Sequence, residues 1–176
     1  PPTLETTRLR LRAHQTDDFE DVARLWADPA VVRHISGTPS TEAESWWRLL
    51  RYTGHWHHLG FGYWAIEDRK TSRFLGEAGL AHYKRNLDVA CRDMPEAGWV
   101  FAQDAWGHGY AHEAMSAILA WADRTLDATS TWCFISEEHA ASLRLATRLG
   151  FHETQRSRVM ESPVVILQRA RRKTAP

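Results

Sequence analysis

Between Trp99 and Ala114 the chain reads Trp99-Val100-Phe101-Ala102-Gln103-Asp104-Ala105-Trp106-Gly107-His108-Gly109-Tyr110-Ala111-His112-Glu113-Ala114. An apolar run with the texture of a buried strand passes through a short loop into a helix opened by two glycines. Glycine lets backbone approach a ligand closely. The amides of a first helical turn have no intrahelical acceptor and, with the helix dipole behind them, favour an anion. The stretch therefore predicts a phosphate cradle made of main chain. It is neither the dinucleotide fingerprint, which needs GxGxxG, nor the P-loop, which ends in GK[ST]. Taken alone, Gly107-x-Gly109 describes an ordinary helix start equally well, so the flanking sequence has to discriminate.

Downstream, Ala111, Ala114, Met115, Ile118, Leu119 and Ala122 keep one face apolar at helical spacing, which predicts a helix over His108–Leu126. Thr131–Ile135 is a short buried strand. Ser136-Glu137-Glu138 reads as the capped acidic start of a helix that runs through Leu143, Ala146 and Leu149 to a stop at Gly150. Strands are expected near Glu153–Met160 and Val164–Gln168, then a frayed basic tail from Arg169. Upstream, Ala97–Phe101 follows a hairpin of Phe61–Ile66 and Arg73–Leu80, making three consecutive antiparallel strands. Alternating Leu and Arg in Leu4–Arg12 predicts the first strand. A helix carrying Phe19, Val22, Leu25 and Trp26 is expected to stop at Asp28-Pro29, because the residue before proline avoids helical angles. Thr41 and Glu44 form the capping box of a second helix with Trp46, Leu49 and Leu50 as its apolar face. The order β, α, α, β, β, β, α, β, α, β, β, without repeat or linker, predicts one α+β domain over residues 1–168, with residues 169–176 as the tail.

Composition removes whole classes of function. The 176 residues carry 22 Lys plus Arg against 22 Asp plus Glu. No overall basic field gathers nucleic acid or an anionic membrane. No run approaches the apolar length of a membrane span, and no secretory signal opens the sequence. Cys91 and Cys133 lack CxxC spacing, which argues against a disulfide scaffold or cysteine zinc cluster and fits a reducing cytoplasm. His55-x-His57-His58 has no accompanying Cys or carboxylate ligand pattern, so no metal is expected there.

With the three strands before the turn and the strand and helix after it, the chain resembles the GNAT superfamily of N-acetyltransferases. The branch it resembles most contains the ribosomal-protein N-terminal alanine and serine acetyltransferases. The matching pieces are Leu4-x-Thr6-x-Arg8-Leu9-x-Leu11-Arg12, the segment from Asp28-Pro29, Trp106 through Ala114, and Ser142 through Gly150-Phe151. The resemblance implies a three-layer α/β/α fold with a mixed, mostly antiparallel central sheet, splayed middle strands and flanking helices. It implies acetyl-CoA as cosubstrate, its pyrophosphate on the amides of Trp106, Gly107, His108, Gly109, Tyr110 and Ala111. Pantetheine would lie between Trp99-Val100-Phe101 and Trp132–Ile135, with His139 and Ser142 beside it. Pairing of two copies into a homodimer follows by analogy alone.

The chain departs from the family pattern at three places. Asp104 stands where Gln or Arg is usual, an acid beside a phosphate site. His139 replaces Asn. Ala146 replaces the tyrosine general acid, leaving Ser142 as the suggested substitute. Attack on a thioester needs a neutral amine, yet lysine (pKa about 10.4) and α-amines (about 8) are largely protonated at neutral pH, so a general base is useful. Glu96 matches a position where many members carry an acid, and Glu77 interrupts an apolar strand; each is equally readable as a plain loop or surface carboxylate. His108 is either a phosphate donor or a surface histidine. Trp46, Trp47, Trp56, Trp64 and Trp99 are either core or an aromatic pocket for a cationic or aromatic amine. No Cys–His arrangement suggests a covalent intermediate.

The expected function is acetyl transfer from acetyl-CoA to a primary amine, on a small molecule or a protein N-terminus, by direct attack in a ternary complex. The alternative is a non-catalytic acyl-CoA-binding or regulatory module. A dinucleotide oxidoreductase does not fit the glycine pattern.

Overall fold

The computed structural model describes residues 1–159 and 161–172. The alternating Leu and Arg of the N-terminus make two short strands where one was expected. β1 (Leu4–Glu5) folds back antiparallel on β2 (Leu9–Arg12), pairing Leu4 with Leu11. Thr6 makes the break, since its hydroxyl accepts the Leu9 amide at 3.0 Å and offers the backbone an alternative to the ladder. The turn Thr6–Arg8 is thereby free to leave the sheet.

α1 (Phe19–Ala27) ends at Asp28 as expected, but Pro29 also begins a short helix, α2 (Pro29–Val32), with the Asp28 carboxylate accepting the Ala30 amide at 2.9 Å. A proline is well suited to a first helical position, where no amide is needed. α3 (Glu42–Leu59) begins at the predicted capping box, with the Glu44 amide 3.2 Å from Thr41 Oγ1 and the Thr41 amide 2.7 Å from Glu44 Oε2. Its buried stripe is Ser45, Leu49, Tyr52 and His55, while Trp46 and Leu50 are 36% and 47% exposed. The expected apolar face is thus corrected by part of a turn. Tyr52 of α3 turns inward because its hydroxyl meets the buried carboxylate of Glu77 on β4.

β3 (Tyr63–Asp68), β4 (Phe74–Ala81) and β5 (Glu96–Phe101) are the three antiparallel strands. α4 (Tyr110–Thr125), β6 (Ser130–Ser136), α5 (Ala140–Arg148), β7 (His152–Val159) and β8 (Ser162–Ala170) complete one sheet of order β1-β2-β3-β4-β5-β6-β8-β7. α5 starts later than Ser136-Glu137-Glu138 suggested. Ser136 stays paired with Val164 in the sheet, and the cap is His139, whose Nδ1 accepts the Ser142 amide at 3.3 Å.

The C-terminal boundary also moves. Arg169 belongs to β8, is 4% exposed, and donates to both Asp123 oxygens at 2.9 and 2.6 Å. The strand therefore runs past Gln168. Met160, expected in the preceding strand, and the last four residues of the expected tail lie outside the described residues.

One face of the sheet packs Leu11, Ile66, Leu80 and Phe101 against Met115 and Ile118 of α4 and Ala146 and Leu149 of α5. The other packs Val100 against Val22, Leu25 and Trp26 of α1, Val31 and Val32 of α2, and Leu49 of α3. Three layers result. β4–β5 and β6–β8 are paired along their lengths, whereas parallel β5 and β6 meet at the single pair Glu96↔Trp132, where the Trp132 amide donates to Pro95 O at 3.1 Å. From there the two strands diverge toward the glycine turn.

Candidate active site

β5 runs into a short turn at Gln103–Ala105, and Trp106 Nε1 donates back to Phe101 O at 2.8 Å, fixing the exit of the strand. Gly107 and Gly109 then take φ of +76° and +78°, the left-handed region that side-chain-bearing residues rarely occupy. The first bond of α4 runs from the Glu113 amide to Gly109 O. The amides of residues 107–112 thus have no backbone acceptor among the described residues, and left-handed residues alternating along such a turn make an anion-binding nest.

The Asp104 carboxylate is held by Arg73, which removes its charge from the cradle. The His108 ring stacks on Tyr110, and its Nδ1 sits 2.7 Å from Trp106 O. That carbonyl can only accept, so Nδ1 carries the proton, and Nε2 becomes a phosphate donor only in the imidazolium form.

The turn is held from a direction that the sequence reading assigned to no site. Arg8 Nη1 donates to His108 O at 2.9 Å, and its Nε and Nη2 each reach Glu113 Oε2 at 2.7 Å. The Arg8 amide and Thr6 Oγ1 donate to Glu113 Oε1 at 2.9 and 2.5 Å. These donors hold the Glu113 carboxyl below the usual range although burial pushes it up. The available signal was Thr6-x-Arg8 in the opening motif, which period-2 patterning absorbed as strand.

At the open end of the splay, Ser142 Oγ lies 3.2 Å from Trp99 Nε1 and 3.3 Å from His139 Nε2. Because His139 Nδ1 accepts the Ser142 amide, the neutral ring carries its proton on Nε2 and donates it to Ser142 Oγ. Two donors fill the two lone pairs of that oxygen, so the Ser142 proton is left to point elsewhere. Burial, and then the positive field of His34, hold His139 below the ordinary histidine value. The His34 ring, from the segment after α2, packs 4.7 Å from His139.

The two candidate bases lie on the α1–α3 side of the sheet, in the same strand-face set as Val100. Glu77 is fully buried; Trp26 Nε1 donates to it at 2.7 Å, His14 Nε2 lies at 3.2 Å, and the Tyr52 hydroxyl makes a short bond. Burial pushes its pKa up, but these donors outweigh it and hold the carboxyl below the ordinary value. Glu96 is 7% exposed and takes a bidentate pair from Arg85 at 2.7 and 2.8 Å.

The five tryptophans considered as one pocket are dispersed. Trp56 and Trp64 pack edge to face at 4.5 Å, Trp46 and Trp47 face solvent on α3, and Trp99 reaches Ser142. His55 is buried and lowered by that burial, while the exposed His57 and His58 pack their rings edge to face at 4.7 Å. Among the described residues no group of three or more His, Cys, Asp or Glu is placed to hold a metal, and no helix is long and apolar enough to cross a membrane. Cys91 and Cys133 are free and buried, and burial pushes both thiols up, away from the reactive thiolate.

Comparison with known proteins agrees with this geometry. The uncharacterized protein YkkB of Bacillus subtilis is 28% identical over 170 residues, covering 94% of each chain. The structure of a GnaT-family acetyltransferase from Bordetella pertussis superposes with a TM-score of 0.86 at 29% identity, covering 97% of this chain and 100% of that one. A ribosomal-protein-S5-alanine acetyltransferase from Vibrio fischeri, with a TM-score of 0.75 at 14% identity over 100% of both chains, shares the fold. Residues 8–152 match the model of the acetyltransferase (GNAT) domain. The chain therefore belongs to the GNAT acetyltransferase family, whose members use acetyl-CoA as the acetyl donor.

Proposed function

We propose that this protein transfers acetyl from acetyl-CoA to a primary amine by direct attack within a ternary complex. The observation that carries the reading is the run of amides at 107–112 without backbone acceptors among the described residues, at the mouth of strands whose single ladder pair there is Glu96↔Trp132. An anionic pyrophosphate fits the nest, and an extended pantetheine fits the unpaired edge of Trp99, Val100 and Phe101. In the reaction the amine nitrogen bonds to the acetyl carbon, the C–S bond breaks, and one proton passes from nitrogen to sulfur. Ser142 points its hydroxyl proton toward the leaving sulfur, its oxygen held by Trp99 and His139. Glu96, on β5 where the strands part, receives the amine proton directly or through water; each oxygen keeps a lone pair beyond those Arg85 takes. Glu77, fully buried with Trp26 and Tyr52 on one oxygen and His14 on the other, anchors the wall behind that site. The acceptor belongs to a small molecule or a protein N-terminus.

Calorimetric titration with acetyl-CoA, followed by thiol-release assays on a panel of primary amines, tests this. Micromolar binding with amine-dependent release of CoA is the expected result. Binding without release on any amine favours a non-catalytic acyl-CoA module, and no binding removes the reading.

A further inference from the structure

Tyr63, Gly79 and Gly98 stand opposite one another on β3, β4 and β5. A Cβ at Gly79 would lie 2.4 Å from Tyr63 Cα, and one at Gly98 would lie 1.9 Å from Tyr63 Oη and 3.2 Å from Cζ. Two bare glycines therefore form a trough across the sheet, and the tyrosine ring lies along it, reaching from β3 over β4 to β5. The stack on Tyr52, 4.9 Å between centroids and 7° between planes, keeps it there. Tyr52 is in turn tied to Glu77.

Gly98 is the next residue after Glu96 on the α1–α3 face of β5, two positions beyond the single ladder pair of β5 with β6 among the described residues. The phenol oxygen is thus delivered to the point where the strands begin to part. We propose that the Tyr63 hydroxyl is the acceptor-side group at this opening, accepting an N–H of the incoming primary amine and so aiming its lone pair at the acetyl carbon. This rests on the acetyl-transfer reading above.

Burial first, then the fields of Tyr83, Glu96 and Glu77 and a hydrogen bond donated to Tyr83, hold this hydroxyl well above the ordinary phenol value of 10, and because its proton goes to Tyr83 its oxygen is left to accept. It stays neutral through the physiological range, neither gaining nor losing a proton in the reaction. An amine with two N–H bonds can give one to Tyr63 and the other toward Glu96, which favours primary over secondary amines.

The test is Tyr63→Phe, which keeps the ring and its stack. In the same preparation, acetyl-CoA affinity is measured by calorimetry and kcat by thiol release at saturating acetyl-CoA and amine. The expected result is a kcat about tenfold lower, the size of one lost positioning hydrogen bond, with acetyl-CoA affinity unchanged and a drop in melting temperature of no more than about 5 °C from the lost bond to Tyr83. A kcat within twofold of the parent overturns the proposal, as does a parallel loss of acetyl-CoA affinity, which would mark a packing role. Wild-type protein that binds no acetyl-CoA would instead fail the acetyl-transfer reading itself, and this proposal with it. The geometry has its own readout in Gly98→Ala, whose added methyl collides with the hydroxyl. Its drop in melting temperature should shrink in a Tyr63→Phe background, and an equal drop in both backgrounds shows that the hydroxyl does not lie over Gly98.

Discussion

The glycine turn and the buried wall behind β4 and β5 solve opposite electrostatic problems. The turn leaves amides 107–112 without backbone acceptors among the described residues, the arrangement we propose for an anion. The wall already contains its anion, Glu77, and surrounds it with Trp26, Tyr52 and His14. One region is polar main chain without backbone acceptors, the other a buried charge given three side-chain partners. The difference teaches where variation is tolerated: a main-chain site depends on backbone angles at Gly107 and Gly109, whereas a side-chain site depends on residues up to 63 positions apart, His14 and Glu77.

The sharpest way to break the contrast is at the turn. Gly109→Trp places a bulky ring at a φ of +78°. Acetyl-CoA affinity should fall by a thousandfold or more, about 4 kcal/mol, with the folded state retained in far-UV circular dichroism. Retention of affinity would mean that the amides are not the anion site.

The opposite region should answer in stability. Glu77→Gln keeps the shape but sets an NH2 among donors, and breaking such a buried charged network costs about 3 kcal/mol, or roughly 6–12 °C in Tm for a chain of this size. The pH dependence has a definite sign. Because the folded carboxyl sits below its ordinary value of 4.5, its contribution is complete above 4.5 and is lost as the pH falls through the lowered value. Thermal scans should therefore show wild type and variant converging in acid, and a constant gap at every pH would refute the account.

Legibility from sequence follows the same division. The turn was readable because its signal is local: an apolar strand, two glycines and a helical period sit within a few residues. The capping box at Thr41 and the α+β order were readable for the same reason. The buried face of α3 was not, because Tyr52 and His55 go inside for partners on β4 and beyond, while Trp46 stays out against Phe19. Arg169 looked like tail for want of any local hint of Asp123, 46 positions away. Glu77 stood out as an oddity in an apolar strand and Glu96 came from the resemblance, but the donors of both were invisible. Ser142 came from resemblance alone, and its support by Trp99 and His139 needed three elements in space.

A smaller effect is expected where the two kinds of site meet. If Ser142 is the proton donor to sulfur that we propose, Ser142→Ala should lower kcat about a hundredfold, with acetyl-CoA affinity unchanged in calorimetry. His139 supports Ser142 as the neutral ring, and its pKa lies below 6.5. Beside the acid limb that protonation of the amine itself sets, wild-type kcat at saturating amine should show a further fall at a pH below 6.5, where protonation costs the Ser142 amide its acceptor. His139→Asn, which retains a capping oxygen, should remove that further fall while leaving the amine-set limb and the helix start intact. An unchanged pH profile in that variant would detach His139 from the reaction.

The smallest effect is the most discriminating, because it asks whether the turn shapes itself or is shaped. Arg8 is 43% exposed at its side chain, so its pairing with Glu113 contributes little to stability as a bare surface ion pair. Its Nη1 bond to His108 O, however, reaches the middle of the nest, and no other side chain is bonded to that carbonyl among the described residues. Arg8→Ala should leave Tm nearly unchanged and weaken acetyl-CoA about threefold to tenfold, while pantetheine, which lacks the pyrophosphate, should bind as before. Arg8→Lys should not restore the loss, because an ammonium cannot fork between Glu113 and a carbonyl as a guanidinium does. Equal losses for acetyl-CoA and pantetheine would mean that Arg8 holds the strand ends rather than the turn. Full recovery by lysine would reduce its role to charge alone.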